Sequence, residues 1–292
     1  MHPESFMKRL GRIFLLLVFA GMQSCNLINP AEPVPAYIKI DTTYITSDYN
    51  NQGTASHHIT DSWVYVETAL QGGYGLPTNF PVLNANGNVT VNIRPGVELD
   101  GLSAQHVIYP FYQTYDTVVN LQPGIVTTII PRTTYISGAI FPWIEDFDDG
   151  SFSFERNSNS DTALFATSTN AFEGAQSGVF YLSSTRLTCE YQTYDKYTLP
   201  KNKINVIELN YNSENTMEVG LLKVNSDQTT TKLPIIVLKP SLKWNKIYLD
   251  LSPTINTQTI QPLGYKVYFK SQLDQGFTSS KVMLDNFKLV HN

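Results

Sequence analysis

The residues able to do chemistry in this chain are few and scattered. Beyond the first two dozen positions the histidines are His57, His58, His106 and His291. His57 and His58 are adjacent in a polar stretch from Thr54 to Thr60. Neighbours on a strand point to opposite faces, so the pair does not offer two ligands to one metal there. Cys189, between Thr188 and Glu190, has no histidine close in sequence to serve as its base, and reads as a small buried hydrophobe. No Gly-x-Ser-x-Gly elbow, His-Glu-x-x-His pair or phosphate-cradling glycine loop occurs. Glycosidases need two carboxyls flanking the scissile bond, whereas Glu145, Asp146, Asp148 and Asp149 form one contiguous acidic turn. The pattern points away from an enzyme.

Binding chemistry is better represented. Trp63, Trp143 and Trp244 are large enough to stack on the apolar faces of sugar rings. Trp244 opens a core-like strand, which favours packing, and Trp143 lies where two domains are expected to meet. Tyr191, Tyr194 and Tyr197 cluster in one short run, and such aromatics suit either a sugar or a protein interface. Tyr109-Pro110-Phe111-Tyr112 reads as a partner-contact loop, with a core-packed loop as the equal alternative.

Composition narrows the class. The 292 residues carry a net charge of −5 with only 15% charged residues, which leaves no electrostatic footprint for nucleic acid. Seventeen tyrosines and fifteen phenylalanines, with no long Ala/Leu/Glu/Lys runs, favour strands. The expected fold class is all-β. Two cysteines, Cys25 and Cys189, give no disulfide framework.

The chain's first residues read as an address. Lys8, Arg9 and Arg12 flank an apolar run from Ile13 to Gly21, which is too short to span a bilayer. The run ends Met22-Gln23-Ser24-Cys25, which resembles the lipobox of bacterial lipoproteins. That resemblance implies cleavage after residue 24 and acyl chains on Cys25, and two or three chains give the stable anchoring that one does not. Loss of residues 1–24 removes three positive charges and one negative, taking the net charge from −5 to −7. Residues 25–35 then form the lipidated cysteine and a Pro-rich tether, reaching about 30 Å at ~3.1 Å per residue.

The elements that must carry the binding residues fall into two expected domains. Residues 36–140 read as a small β-domain: Ser62 to Glu67 alternates, Gly72 to Pro77 and Asn84 to Asn88 are expected turns, and Val89, Val91 and Ile93 alternate. Ile93 to Val97 is expected as a proline-bearing surface loop. This order resembles Ig-like or prealbumin-like modules such as PEGA domains. Residues 141–292 carry strands at 206–211, 217–224, 233–238, 244–251, 265–270 and 282–290. Ile247, Leu249 and Leu251 alternate with Tyr248 and Asp250, predicting one buried and one wet face. Glu145-Asp146-Phe147, the Trp244 to Ser252 strand and Leu284 to Leu289 resemble jelly-roll, galactose-binding-like sandwiches. That resemblance implies a structural calcium held by Glu145 or Asp146 together with Asp285.

Taken together, the chain is similar to outer-membrane lipoproteins of Bacteroidetes-type bacteria. The likeness implies a non-enzymatic scaffold subunit of an outer-membrane β-barrel complex in assembly, secretion or nutrient uptake. The alternative is surface glycan capture. Both place the protein on the outer membrane through its lipid, at the cell surface by domain type, with the periplasmic face left open.

Overall fold

A computed structural model describes residues 32–83 and 87–292. Cys25, the residues before it and positions 26–31 of the tether lie outside the described residues, as do 84–86 at the centre of one expected turn. The chain is all-β, as expected.

The N-terminal strands are β1 (Ala36–Ile40), β2 (Tyr44–Thr46), β3 (Asp61–Val66), β4 (Ala69–Gly75), β5 (Thr78–Val82), β6 (Gly87–Glu98), β7 (His106–Ile108), β8 (Tyr115–Leu121), β9 (Val126–Thr128) and β10 (Arg132–Thr134), with one helical turn, α1 (Tyr49–Gln52). β1 lies between β5 and β9, while β4, β3, β6 and β7 form a second sheet with β8 also on β6. Alternation sets the faces: Ile38, Val64, Phe80, Val91, Ile93 and Leu121 meet in one apolar cluster.

Two expected irregular segments are strands instead. The Gly72-Gly73-Tyr74-Gly75 run belongs to β4, where Gly73 lets the Trp63 indole lie flat: a Cβ at Gly73 would sit 3.0 Å from that ring. Tyr74 stacks on Phe80 with centroids 3.9 Å apart. Ile93 to Val97 continues β6 through Pro95. Proline is tolerated because Pro95 falls between the pairing with β8, which ends at Ile93, and the pairing with β7, which begins at Gly96.

The remaining strands are β11 (Ile140–Glu145), β12 (Phe154–Arg156), β13 (Phe165–Thr167), β14 (Ser177–Ser183), β15 (Thr188–Thr193), β16 (Asn205–Ser213), β17 (Met217–Val224), β18 (Thr230–Leu238), β19 (Ser241–Asp250), β20 (Gly264–Gln272) and β21 (Ser279–His291), with α2 (Ser252–Asn256) after β19. They form a jelly-roll sandwich of two antiparallel sheets. One runs β13-β14-β21-β16-β19, with β11 also on β21; the other runs β12-β15-β20-β17-β18. Between them Phe154 meets Phe269 at 5.2 Å and Phe287 at 5.3 Å, both edge to face. This arrangement favours aromatic pairs beyond simple area burial.

The face of β19 expected to be wet is not. Tyr248 is 1% exposed, because the N-terminal strands cover it. Ile45, Ile59, Val97, Tyr109, Phe111, Tyr112 and Tyr135 pack there against Val206, Tyr248 and Val290. The Tyr109-Pro110-Phe111-Tyr112 segment, expected as a partner-contact loop, is therefore internal: Tyr109 and Phe111 have no exposed surface, so no partner reaches them. The same seam encloses charge. The Glu208 carboxylate accepts from the hydroxyls of Tyr109 (2.6 Å) and Tyr135 (2.9 Å) and pairs with Lys246 at 3.1 Å. Burial works to raise the Glu208 carboxyl, but Lys246 and Lys288 outweigh it and hold it below its ordinary value. A loop from β6 completes the joint: Leu99 pairs alongside Tyr248, and the Asp100 carboxylate accepts the Asp250 N–H at 2.9 Å.

Candidate functional site

A cleft of about 710 Å³ lies at one end of the sheet that β15, β20, β17 and β18 share. Period-two alternation builds its floor. On β15, Cys189, Tyr191 and Thr193 turn inward, leaving Gln192 outward; on β20, Tyr265, Val267 and Phe269 turn inward, leaving Lys266 outward. Glu155 fixes both outward groups, accepting from Lys266 Nζ at 2.6 Å and Gln192 Nε2 at 2.8 Å. Burial alone would raise the Glu155 carboxyl, yet the Lys266 and Gln192 bonds hold it below its ordinary value.

The wall is the segment after β15. Tyr197 exchanges both backbone hydrogen bonds with Tyr265, at 2.7 and 2.8 Å, which pins the loop to the sheet end. Its ring stacks on Trp143 with centroids 6.1 Å apart, and burial pushes its hydroxyl up to about 12, with Asp195 and Glu145 adding to the shift. Tyr194 is 58% exposed and has no stacking partner among the described residues. Gln228 and Thr230, from the β17–β18 turn, and Leu263 close the far side. The cleft offers a free ring face, amides, an ammonium and hydroxyls. A hydroxylated ligand with an apolar face fits that set, and the lining holds no histidine or cysteine to start a covalent step.

The structure thus divides the expected tyrosine cluster. Tyr194 and Tyr197 line the cleft, while Tyr191 is 5% exposed, stacks on Phe269 and accepts the Leu164 N–H through its hydroxyl. Tyr191 is a core residue because it sits one strand position out of phase with Gln192. Trp143 is buried too, its indole N–H bonded to Ser153 Oγ at 2.7 Å.

The three carboxylates expected at a calcium site serve separate hydrogen bonds. Glu145 accepts the Phe147 N–H through Oε1, and the Ser153 N–H and hydroxyl through Oε2 at 2.6 Å each. Asp146 accepts from the Tyr49 hydroxyl at 2.6 Å. Asp285 accepts from Ser177 Oγ and from the Asn286 N–H. Burial raises the Glu145 carboxyl and pushes Asp285 up to about 7, with Glu173 and Asp148 adding to the Asp285 shift. Among the described residues no group of three or more His, Cys, Asp or Glu side chains converges as a metal site.

His106 and the thiol are held within the fold as well. His106 is raised first by its 2.6 Å bond to Asp61, and its other ring nitrogen meets the Ser103 carbonyl at 2.9 Å. Both ring nitrogens thus face internal acceptors, the Asp61 carboxylate and the Ser103 carbonyl. His57 and His291 are lowered by burial, and burial raises the thiol of the fully enclosed Cys189.

Neither a family model nor a curated protein matches this chain. Among solved structures, the CBM22-1 xylan-binding domain of Paenibacillus barcinonensis Xyn10C aligns at 11% identity and a TM-score of 0.38, covering 53% of this chain and 97% of its own. A carbohydrate-binding module of the β-sandwich superfamily covers 89% of this chain and 99% of its own at 14% identity and 0.40. A cyclase from Fischerella sp. TAU covers 53% and 98% at 12% identity and 0.40. Likeness at this level sets neither family nor ligand for the present chain.

Sequence reasoning missed Gln192, Lys266 and Glu155 as a unit. The signal was present in Lys266-Val267-Tyr268-Phe269-Lys270, whose alternation sets both lysines on the face opposite Val267 and Phe269 of the core.

Proposed function

We propose that this chain is a non-catalytic, glycan-binding lipoprotein, held at the outer membrane by acyl chains on Cys25 and binding saccharide in the Tyr194–Tyr197 cleft. The observation that carries the reading is the exposed Tyr194 ring beside Gln192 and Lys266, both fixed by Glu155. A sugar ring stacks through its apolar C–H face while its hydroxyls take up amide and ammonium donors, and prepositioned donors lose less entropy on binding. The anchor rests on Cys25, after the apolar run and a small residue, and the short tether keeps the cleft near the membrane. A role as subunit of a β-barrel complex has lost its assigned surface, since Tyr109, Phe111 and Tyr112 lie in the seam.

Affinity electrophoresis through gels cast with xylan, galactan and glucan tests the site. The native chain is expected to be retarded by at least one polysaccharide, and Tyr194→Ala to abolish the retardation with an unchanged melting temperature. Equal mobility of native and Tyr194→Ala chains in every gel defeats the reading. Labelled fatty acid appearing on the native chain but not on Cys25→Ser tests the anchor.

A further inference from the structure

We infer that the opposite sheet carries a second saccharide site, built on Trp244 and selective for an acidic sugar. This goes beyond the Tyr194 cleft and does not depend on it. The site is a cleft of about 560 Å³ beside the start of β19, within the range of about 300–1,000 Å³ usual for small-ligand sites. Trp244 is half-buried rather than enclosed, unlike Trp143. Its indole N–H donates to the Asn170 carbonyl at 3.1 Å, and Phe172 packs against it with centroids 5.4 Å apart. The ring is therefore fixed before any ligand arrives. Leu242, 76% exposed, extends the apolar surface beside it.

The polar groups around this platform are unspent. Lys243 and Lys281 line the cleft, and neither ammonium forms an ion pair with a carboxylate among the described residues. Glu214 uses Oε2 to accept the Lys281 backbone N–H at 2.8 Å, leaving Oε1. Asn212 donates its amide to the Leu242 carbonyl at 3.0 Å, leaving its own carbonyl oxygen. An apolar face, two cations and two acceptors are what a uronate sugar calls for: its C–H face stacks on the indole, its carboxylate meets the lysines, and its hydroxyls donate to Glu214 and Asn212. Two cations against one carboxylate favour an acidic over a neutral ring. With a net charge of −5 the whole chain repels anions weakly, so attraction must come from this short-range pairing.

Tryptophan emission from the full-length chain, titrated with oligogalacturonate and with neutral galacto-oligosaccharide of equal length, tests the inference. Emission is expected to change with the acidic oligomer, and the midpoint to shift at least about tenfold when salt is raised to screen the pairing. Lys243→Met with Lys281→Met is expected to cost about tenfold in affinity, and Trp244→Phe to remove the emission change. Tyr194→Ala should leave all of this intact, which separates failure here from failure of the first cleft. An unchanged emission spectrum with the acidic oligomer, an equal response to the neutral one, or full affinity in the lysine double variant would overturn the inference.

Discussion

Glu208 and Lys246 form an ion pair at 3.1 Å in which the two side chains are 0% and 2% exposed. Lys288, directly opposite Glu208 on β21, has no exposed surface either and donates to Tyr135 at 3.3 Å. One carboxylate thus pairs with Lys246, accepts from two tyrosine hydroxyls and feels the charge of Lys288, whose ammonium is itself bonded to the Thr54 carbonyl and Tyr135. Burying charge is costly unless it is paired and hydrogen-bonded. The sequence consequence is a seam that tolerates few substitutions.

Glu208→Gln keeps the shape but strands the Lys246 ammonium. A loss of about 3–5 kcal/mol is expected, the scale for breaking a buried pair from one side. Urea unfolding measures it, with Tyr135→Phe as comparison at about 1.5–3 kcal/mol, because its hydroxyl donates to Glu208 and accepts from Lys288. A change below 1 kcal/mol for Glu208→Gln would refute the role assigned to the carboxylate.

Stability should pass through a minimum near pH 7. Asp285 is pushed up to about 7 by burial, so its contribution is complete below its unfolded value and fades as pH rises through 7. Lys288 is pushed down to about 7, again by burial, so its contribution is complete above its unfolded value near 10 and fades as pH falls toward 7. Melting temperatures across pH 4 to 10 check this: Asp285→Asn is expected to flatten the acid limb and Lys288→Met the alkaline limb.

Gly220 lies under Tyr268, and a Cβ there would stand 2.6 Å from the Leu233 carbonyl oxygen, which is backbone and cannot swing aside. Gly220→Ala is expected to destabilise by about 1–3 kcal/mol through overpacking. Gly87→Ala, with open space around its Cβ but a φ of +95°, separates backbone strain from crowding.

Cys189 should be silent to thiol reagents in the folded chain, since it is fully buried and its thiolate is disfavoured. Labelling with Ellman's reagent is expected only on unfolding, at the rate of global opening. Fast labelling under native conditions would contradict the packing of β15.

Removal of divalent cations with a chelator should leave the melting temperature unchanged, because Glu145, Asp146 and Asp285 already serve internal donors. A drop on chelation, restored by calcium, would reinstate the ion that the jelly-roll resemblance implies.

The sandwich strands were legible because their alternation is regular: Ile247, Leu249 and Leu251 face the core as the pattern requires. The other face of that strand was not legible. Tyr248 fits water or a seam equally well, and only long-range contact with Tyr109 and Tyr112 decides between them. Glycine misled for a related reason. Gly72 to Gly75 reads as a turn locally, but Gly73 makes room for Trp63 on the neighbouring strand. At the candidate site Tyr194 was visible as an aromatic in a polar run. Its partners Lys266 and Gln192 come from strands that only the fold brings side by side. A hint did stand in the sequence: Glu208 is the lone charge of β16, which marks a strand covered on both sides.

The seam has a mechanical consequence. Tension applied to the sandwich must travel to β1 through the joint where Leu99 runs beside Tyr248 and Asp100 holds β19. A greasy, hinge-like contact would yield and let the two parts swing. Interlocked rings around a buried ion pair resist sliding, so a load on the sandwich reaches β1 with little slack.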